Sequence, residues 1–229
     1  MYNNIFRINL KQYLCKQINS SNCTTLKAIE LIEYKKKLDE AIEGNKVALF
    51  FNDSILHAMM IMEALFKKAS TEGDQKVVYM YCGELSLFRD KTKNKVFNEK
   101  NNCSLDDLDK EQQSYWNQID FYANLQSSFK EFIEKDGSLL EIIIANDVET
   151  LPQNSIWKII KSNIDNHKIK IYKLKNDVGL DHFVTTKDSY RVENSDENKT
   201  AICGFRDESS ANILIDNFKD LLNLSQKIF

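Results

Sequence analysis

Between Lys168 and Glu193 (KIKIYKLKNDVGLDHFVTTKDSYRVE) the chain gathers the residue types that can handle an anion. His182 offers an imidazole, able to carry a proton or attack an electrophile near neutral pH. Arg191 offers a planar guanidinium suited to phosphate oxygens, with Lys187 as a second cation in the segment. The carboxylates of Asp188 and Glu193 are available to orient the imidazole through its second nitrogen. Held on one surface, such a set would bind a phosphate-type group or, with enough cationic support, act on it.

Alternation of polar and apolar residues says how these groups are carried. Ile169 to Leu174 reads as a strand, a polar turn passes through Asn176 and Gly179, and a second strand carries His182. A tight turn at Lys187-Asp188-Ser189 leads to a third short strand, Tyr190 to Glu193. Neighbours on a strand point to opposite faces, so Lys187, at an odd offset on the turn, tends to point away from His182, and Arg191 on the returning strand is the better cation to meet it. Asp188 or Glu193 is expected to orient the ring. The same residues also fit a structural hairpin, with a hydrogen-bonded histidine and an Arg/Glu cross-strand pair worth a few tenths to about 1 kcal/mol.

The chain is long enough, at 229 residues, for one large domain or a domain with an appendage. Hydrophobic residues at 42% argue against wholesale disorder. A net charge of -3 excludes a surface built throughout for nucleic acid but leaves room for a local basic strip. The five scattered cysteines (Cys15, Cys23, Cys82, Cys103, Cys203) show no zinc spacing and fit reduced thiols in a cytoplasmic protein. The opening MYNNIFRINLKQYL lacks the sustained apolar run of a secretory leader, and no window is apolar enough to span a membrane. No cofactor fingerprint or metal motif is present: nothing matches G-x-G-x-x-G, a P-loop, H-E-x-x-H or a Ser-His-Asp order.

Along the chain, residues 1 to 25 fit a short strand or helix, and Thr25 to Glu43 has the stripe of a helix stopped by Gly44-Asn45. Val47 to Phe51 reads as a buried strand, Asn52-Asp53-Ser54 as a cap, and Ile55 to Ala69 as an almost wholly buried helix with His57 in a capping or surface role. Lys76 to Cys82 is a second buried strand broken by Gly83, which makes a β-α-β unit and implies a parallel sheet. Arg89 to Gln112, basic then acidic, reads as a charged loop, and Gln113 to Lys135 as one long helix. A strand at Leu139 to Ala145, a polar connection at Asn146 to Asn154 and a helix at Ile156 to Ile164 make a second such unit with Ile169. A hydrophilic turn at Asn194 to Asn198, a strand at Thr200 to Phe205 and a helix capped by Asp207 complete the chain.

This order, with a histidine-bearing hairpin and a last helix of the form D-x-x-x-A-x-x-L-x-x-x-F, resembles one half of the phospholipase D-like fold from about Lys46 to Ser225. The resemblance implies an α/β domain (46–229) with a mixed, mainly parallel sheet between helices, a charged insertion at about 89–112 and a helical N-terminal extension (1–45). In active members the hairpin carries H-x-K-x(4)-D, the histidine attacking phosphorus and the lysine holding a phosphate oxygen, and two such hairpins meet across a two-fold axis. Here His182 matches, but Val184 stands for the lysine, Ser189 for the aspartate, with Asp188 one residue early, and Asn194 to Asn198 lacks the glycine of the Gly-Ser-x-Asn segment. The implied reading is a catalytically degenerate homodimer that acts as an interaction module through its partner surface or recognises a phosphate-containing ligand or nucleic acid near His182 and Arg191, an accessory of a bacterial mobile or defence locus. Two other readings stay open: a metal-independent nuclease or phosphodiesterase using His182 from each of two copies, and an unrelated doubly wound sensor module.

Overall fold

Helix α1 (Ala28–Glu43) turns Ala28, Leu31, Leu38 and Ala41 into the same core that the central sheet presents to its other helices. The computed structural model describes residues 26–44, 47–73, 76–146, 155–164, 166–176, 178–194 and 200–229. The expectations for residues 1 to 25, for the connection through 147–154 and for the turn at 195–198 lie outside these.

Strand β1 (Ala48–Asn52) leads through Ser54, whose Oγ accepts the His57 amide at 3.1 Å, into α2 (Ile55–Thr71). The capping role of the Asn52-Asp53-Ser54 run therefore falls to Ser54. α2 is buried nearly all round, as its lack of a polar face requires. Phe66 meets the rings of Phe129 and Phe132 at 5.2 and 5.7 Å, each ring contributing about 1.5–3 kcal/mol by burial.

After β2 (Lys76–Cys82) and a single 3-10 turn (Ser86–Phe88), the charged segment departs from expectation. It is no loop: Asp90–Asn101 forms α3, held inward by buried Thr92 and Val96, with Thr92 Oγ donating to Ser86 O at 2.6 Å. Two small anchors four residues apart suffice for one helical stripe, too faint a pattern to stand out among lysines and asparagines.

The expected single helix from Gln113 is likewise two, α4 (Lys110–Gln118) and α5 (Phe121–Glu134). Asp120 breaks the run by accepting the amides of Tyr122 and Ala123 at 3.1 and 2.9 Å. Lys100 Nζ donates to Ile119 O at 2.5 Å, placing a cation on the carbonyl end of α4.

Next come β3 (Ser138–Ile144), α6 (Ser155–Ile164), β4 (Ile169–Leu174), β5 (Phe183–Thr185), β6 (Tyr190–Glu193), β7 (Ala201–Phe205), α7 (Glu208–Asn223) and β8 (Ser225–Lys227). They form one eight-stranded sheet in the order β1-β7-β6-β5-β2-β3-β4-β8. The sheet is open and mixed, with helices on both faces. It is not mainly parallel by pairing: only β2 with β3 and β3 with β4 are parallel, and the other five adjacent pairs are antiparallel. β1 and β2 do run the same way, as the first β-α-β reading requires. The difference is that β7, β6 and β5 enter between them and zigzag back to β2.

One face carries the larger core, including α1, α2, α5 and α6, and the other is packed by Ala211, Leu214, Phe218 and Leu221 of α7. β8, too short and polar to announce itself, pairs antiparallel with the edge of β4.

Gly204 faces Tyr190 across β6 and β7, and a Cβ there would come within 2.6 Å of the tyrosine ring. That ring is held by its own hydroxyl, which donates to Asp207 Oδ2 at 3.2 Å. Gly204→Ala should therefore cost about 1–3 kcal/mol, read as a lowered urea midpoint, while Gly73→Ala, where a Cβ meets nothing, should leave the midpoint within about 0.5 kcal/mol.

Candidate functional site

Strands β1, β2, β3 and β6 all end on one edge of the sheet, where β5 and β7 begin. His182 stands just before β5, and the pairing of the hairpin extends to it, because the Glu193 amide donates to His182 O at 2.8 Å. A single row crosses this edge from Asn52 through Ala201 and Glu193 to His182. Crevices outside the carboxyl ends of strands are where open α/β sheets place their ligands.

The imidazole is partly exposed, its side chain 39% accessible, and its Nδ1 lies 3.7 Å from Glu193 Oε2, an ion-pair distance longer than a hydrogen bond. Its ring meets that of Tyr81 edge-on, with centroids 5.3 Å apart. Behind the ring runs backbone at Gly83, where a Cβ would stand 3.3 Å from both His182 Cε1 and Asn146 Nδ2. Tyr81, Gly83 and Asn146 thus belong to the setting of the histidine. Sequence reading gave Gly83 only as a strand breaker, and the signal available for it, a lone glycine ending a buried strand, does not say what approaches it.

Arg191 and Glu193 share a face of β6, and Arg191 Nη1 donates to Glu193 Oε1 at 2.6 Å. The guanidinium is almost fully buried, its side chain 4% accessible, in register with Val184 and Cys203. Burial opposes the ionisation of Glu193, yet the neighbouring His182 and Arg191 more than offset it, and the carboxyl is lowered to about 2. Cys203 beside Arg191 is pushed up to about 12 by burial despite the guanidinium, so it stays a thiol.

His182, Glu193 and Arg191 therefore come together. Lys187 and Asp188 do not join them. They sit on the hairpin turn, separated from His182 by the length of β5, about 10 Å at ~3.4 Å per residue. Asp188 serves a second polar cluster there: its Oδ2 accepts from Lys68 Nζ at 3.1 Å and its Oδ1 from Ser189 Oγ at 2.6 Å. Burial works against the Asp188 carboxylate, but those bonds hold its carboxyl below the usual range. Glu72 in the same cluster accepts from Thr186 Oγ at 3.2 Å, and burial pushes its carboxyl up. This cluster ties the hairpin turn to the end of α2. Lys187 is exposed.

His57 makes a second imidazole–carboxylate pair, its Nδ1 lying 3.0 Å from Asp53 Oδ1 and 3.1 Å from Ser54 Oγ. Three strand-to-strand steps of about 4.8 Å, ~14 Å in all, separate its end of β1 from the backbone at His182. Among the described residues no group of three or more His, Cys, Asp or Glu is placed to hold a metal, and no helix is long and apolar enough to cross a membrane.

Chemically, the edge offers an imidazole braced by a carboxylate that is itself held by a buried guanidinium. The positive charge of Arg191 is spent inside the protein. Position 184 supplies no replacement, since Val184 is buried in the core beside the Met80 of β2.

Because Glu193 is ionised at far lower pH in the folded chain than an ordinary glutamate, its contribution to stability is present above about pH 4.5 and is lost as pH falls towards 2. Glu193→Gln should lower stability at pH 7 by about 3 kcal/mol, since it strands a buried guanidinium. Urea midpoints of the two proteins at pH 7, 4 and 3 should converge as acid is added; a gap that stays constant would mean that the carboxylate charge is not what stabilises the site.

No protein-family model matches the sequence, and no curated protein matches it either. Solved structures do. The chain is similar to TrmBL2, described as an archaeal chromatin protein with a novel mode of DNA binding, at 12% identity and a TM-score of 0.50 over 98% of this chain and 67% of that one. It is also similar to Nuc from Salmonella typhimurium, a phospholipase D family member, at 10% identity and a TM-score of 0.41 over 80% of this chain and 97% of that one. NucT from Helicobacter pylori matches at 11% identity and a TM-score of 0.42 over 80% and 99%. The likeness to TrmBL2 is one of fold: an α/β chain on a large open mixed sheet flanked by helices.

Proposed function

We propose that the chain is a degenerate, single-half phospholipase D-like protein that binds a phosphate-containing ligand at the edge marked by His182 and does not turn it over. The observation that carries this is the state of the cations. In-line attack on phosphorus needs positive charge on the equatorial oxygens. The position two residues after His182 is a buried valine, and the guanidinium of Arg191 is committed to Glu193 at 2.6 Å. What remains is a partly exposed imidazole set edge-on to Tyr81, suited to donating a hydrogen bond to a phosphate oxygen. Two copies would pair across the hairpin face, as the resemblance implies, in a cytoplasmic setting and as an accessory of a bacterial mobile or defence locus.

The test uses bis-p-nitrophenyl phosphate as both substrate and ligand, in EDTA. No nitrophenol should be released, while calorimetry should register binding that weakens about tenfold or more in His182→Ala, the loss of one charge-assisted hydrogen bond. Metal-independent release that disappears in His182→Ala would instead establish a phosphodiesterase, the reading in which each of two copies supplies its histidine. Sedimentation at several concentrations tests the pairing, and a monomer throughout would remove it.

A further inference from the structure

The helix formed by the charged segment has an outer surface that neither the fold nor the His182 edge uses. α3 turns Thr92, Val96, Glu99 and Lys100 inward, and Lys91, Lys93, Asn94, Lys95, Phe97 and Asn98 are exposed, Phe97 at 64%. At 100° per residue the asparagines 94 and 98 form the crest, Lys91 and Lys95 flank it on one side, and Lys93 and Phe97 on the other. No ion pair among the described residues engages Lys91, Lys93 or Lys95. Of the two acidic residues of α3, Asp90 opens the helix beside Lys91, and Glu99 is directed at the start of α2, where it interacts with Ser54 and the amides of Ile55 and Leu56. The acidic run from Asp106 lies past Ser104, which is tied to α1 by the Ala28 amide at 2.9 Å.

We propose that this face of α3 binds single-stranded nucleic acid. Its lysines would lie along the phosphates, its asparagine amides would reach base edges, and Phe97 would stack on an unpaired base. The three parts argue against other polyanions. A helix lying in a lipid interface needs a broad apolar face, and here Phe97 stands alone among lysines and asparagines. A duplex hides the base faces that an exposed aromatic ring needs. α3 also starts shortly after Gly83, the residue against the His182 ring, so a strand on α3 lies at the same end of the molecule as the proposed phosphate site. The inference rests on that site's reading only for what His182 would hold; the helix surface stands by itself.

Fluorescence anisotropy of labelled single-stranded DNA, single-stranded RNA and the matching duplex measures it, with anionic phospholipid vesicles as a further arm. The wild-type chain should bind the single strands at low salt and more tightly than the duplex. K91E/K93E/K95E should lose at least tenfold and flatten the log affinity against log salt plot by about 2, the share of three phosphate contacts. Phe97→Ala should lose roughly tenfold with an unchanged salt slope, because stacking releases no counterions. All four positions are exposed, and unchanged circular dichroism and urea midpoint confirm folding. No binding of any strand, binding unaffected by the lysine changes, equal binding of the duplex with no effect of Phe97→Ala, or vesicle binding in place of strand binding would each overturn the proposal. His182→Ala separates the two readings: single-strand affinity kept there but lost in the lysine variant leaves the helix surface standing without the phosphate site. Loss in His182→Ala with the lysine variant unaffected leaves the reverse.

Discussion

A guanidinium buried in the middle of a sheet has to be neutralised where it lies, and much about this molecule follows from how Arg191 is neutralised. Removing such a charge from water costs several kcal/mol unless a partner is built beside it. Glu193, two residues on and on the same face, is that partner at 2.6 Å. Its second oxygen faces His182 at 3.7 Å, so the one carboxylate serves both the interior and the exposed edge. At the far end of the same hairpin, Lys68 and Asp188 make a second ion pair at 3.1 Å. Charge thus marks both ends of the hairpin, His182 against Glu193 across the strands at one and Asp188 against Lys68 of α2 at the other.

The same arrangement limits chemistry. In a site built to stabilise charge developing on a substrate, the cation must face outward and remain uncommitted until the ligand arrives. Here the cation faces inward and the exposed group is an imidazole. On the proposed reading, holding a phosphate without breaking its bonds requires no more than that, and the lysines on the outer surface of α3 would add the long-range attraction that one imidazole lacks.

Much of the architecture was legible from periodicity. The strands from Lys76, Ile169 and Tyr190, the buried α2 and the last helix with its Asp207 cap all fall where the apolar spacing puts them, because each buries a face whose pattern is dense enough to read. What escaped had little apolar signal or depended on pairing at long range. α3 rests on Thr92 and Val96 alone, and the break before α5 is the work of a single carboxylate, Asp120. The sheet order cannot be read from strands taken singly: β1 and β2 look like neighbours in a parallel unit until β5, β6 and β7 are seen to lie between them. At the site, His182, Arg191 and Glu193 share an edge because β6 brings the last two back beside the first. Lys187 and Asp188 share only the sequence neighbourhood, and the length of β5 carries them away. Gly83 and Asn146 come from other strands altogether, so no reading of the hairpin contains them.

The late arrival of the middle strands has a consequence for how the molecule is made. Among the described residues β1 finds its sheet partner in β7, Ala48 opposite Phe205, so this ladder closes across more than 150 intervening residues. The flank of β2 that receives β5 presents unpaired backbone until the chain has been synthesised past Thr185, and the flank of β1 that receives β7 does so until Phe205. Such high contact order makes folding slow and leaves nascent edges open to wrong partners. More than 150 residues must therefore follow β1 before its flank is covered, and any product truncated ahead of β7 is a candidate for chaperone capture rather than a smaller working domain.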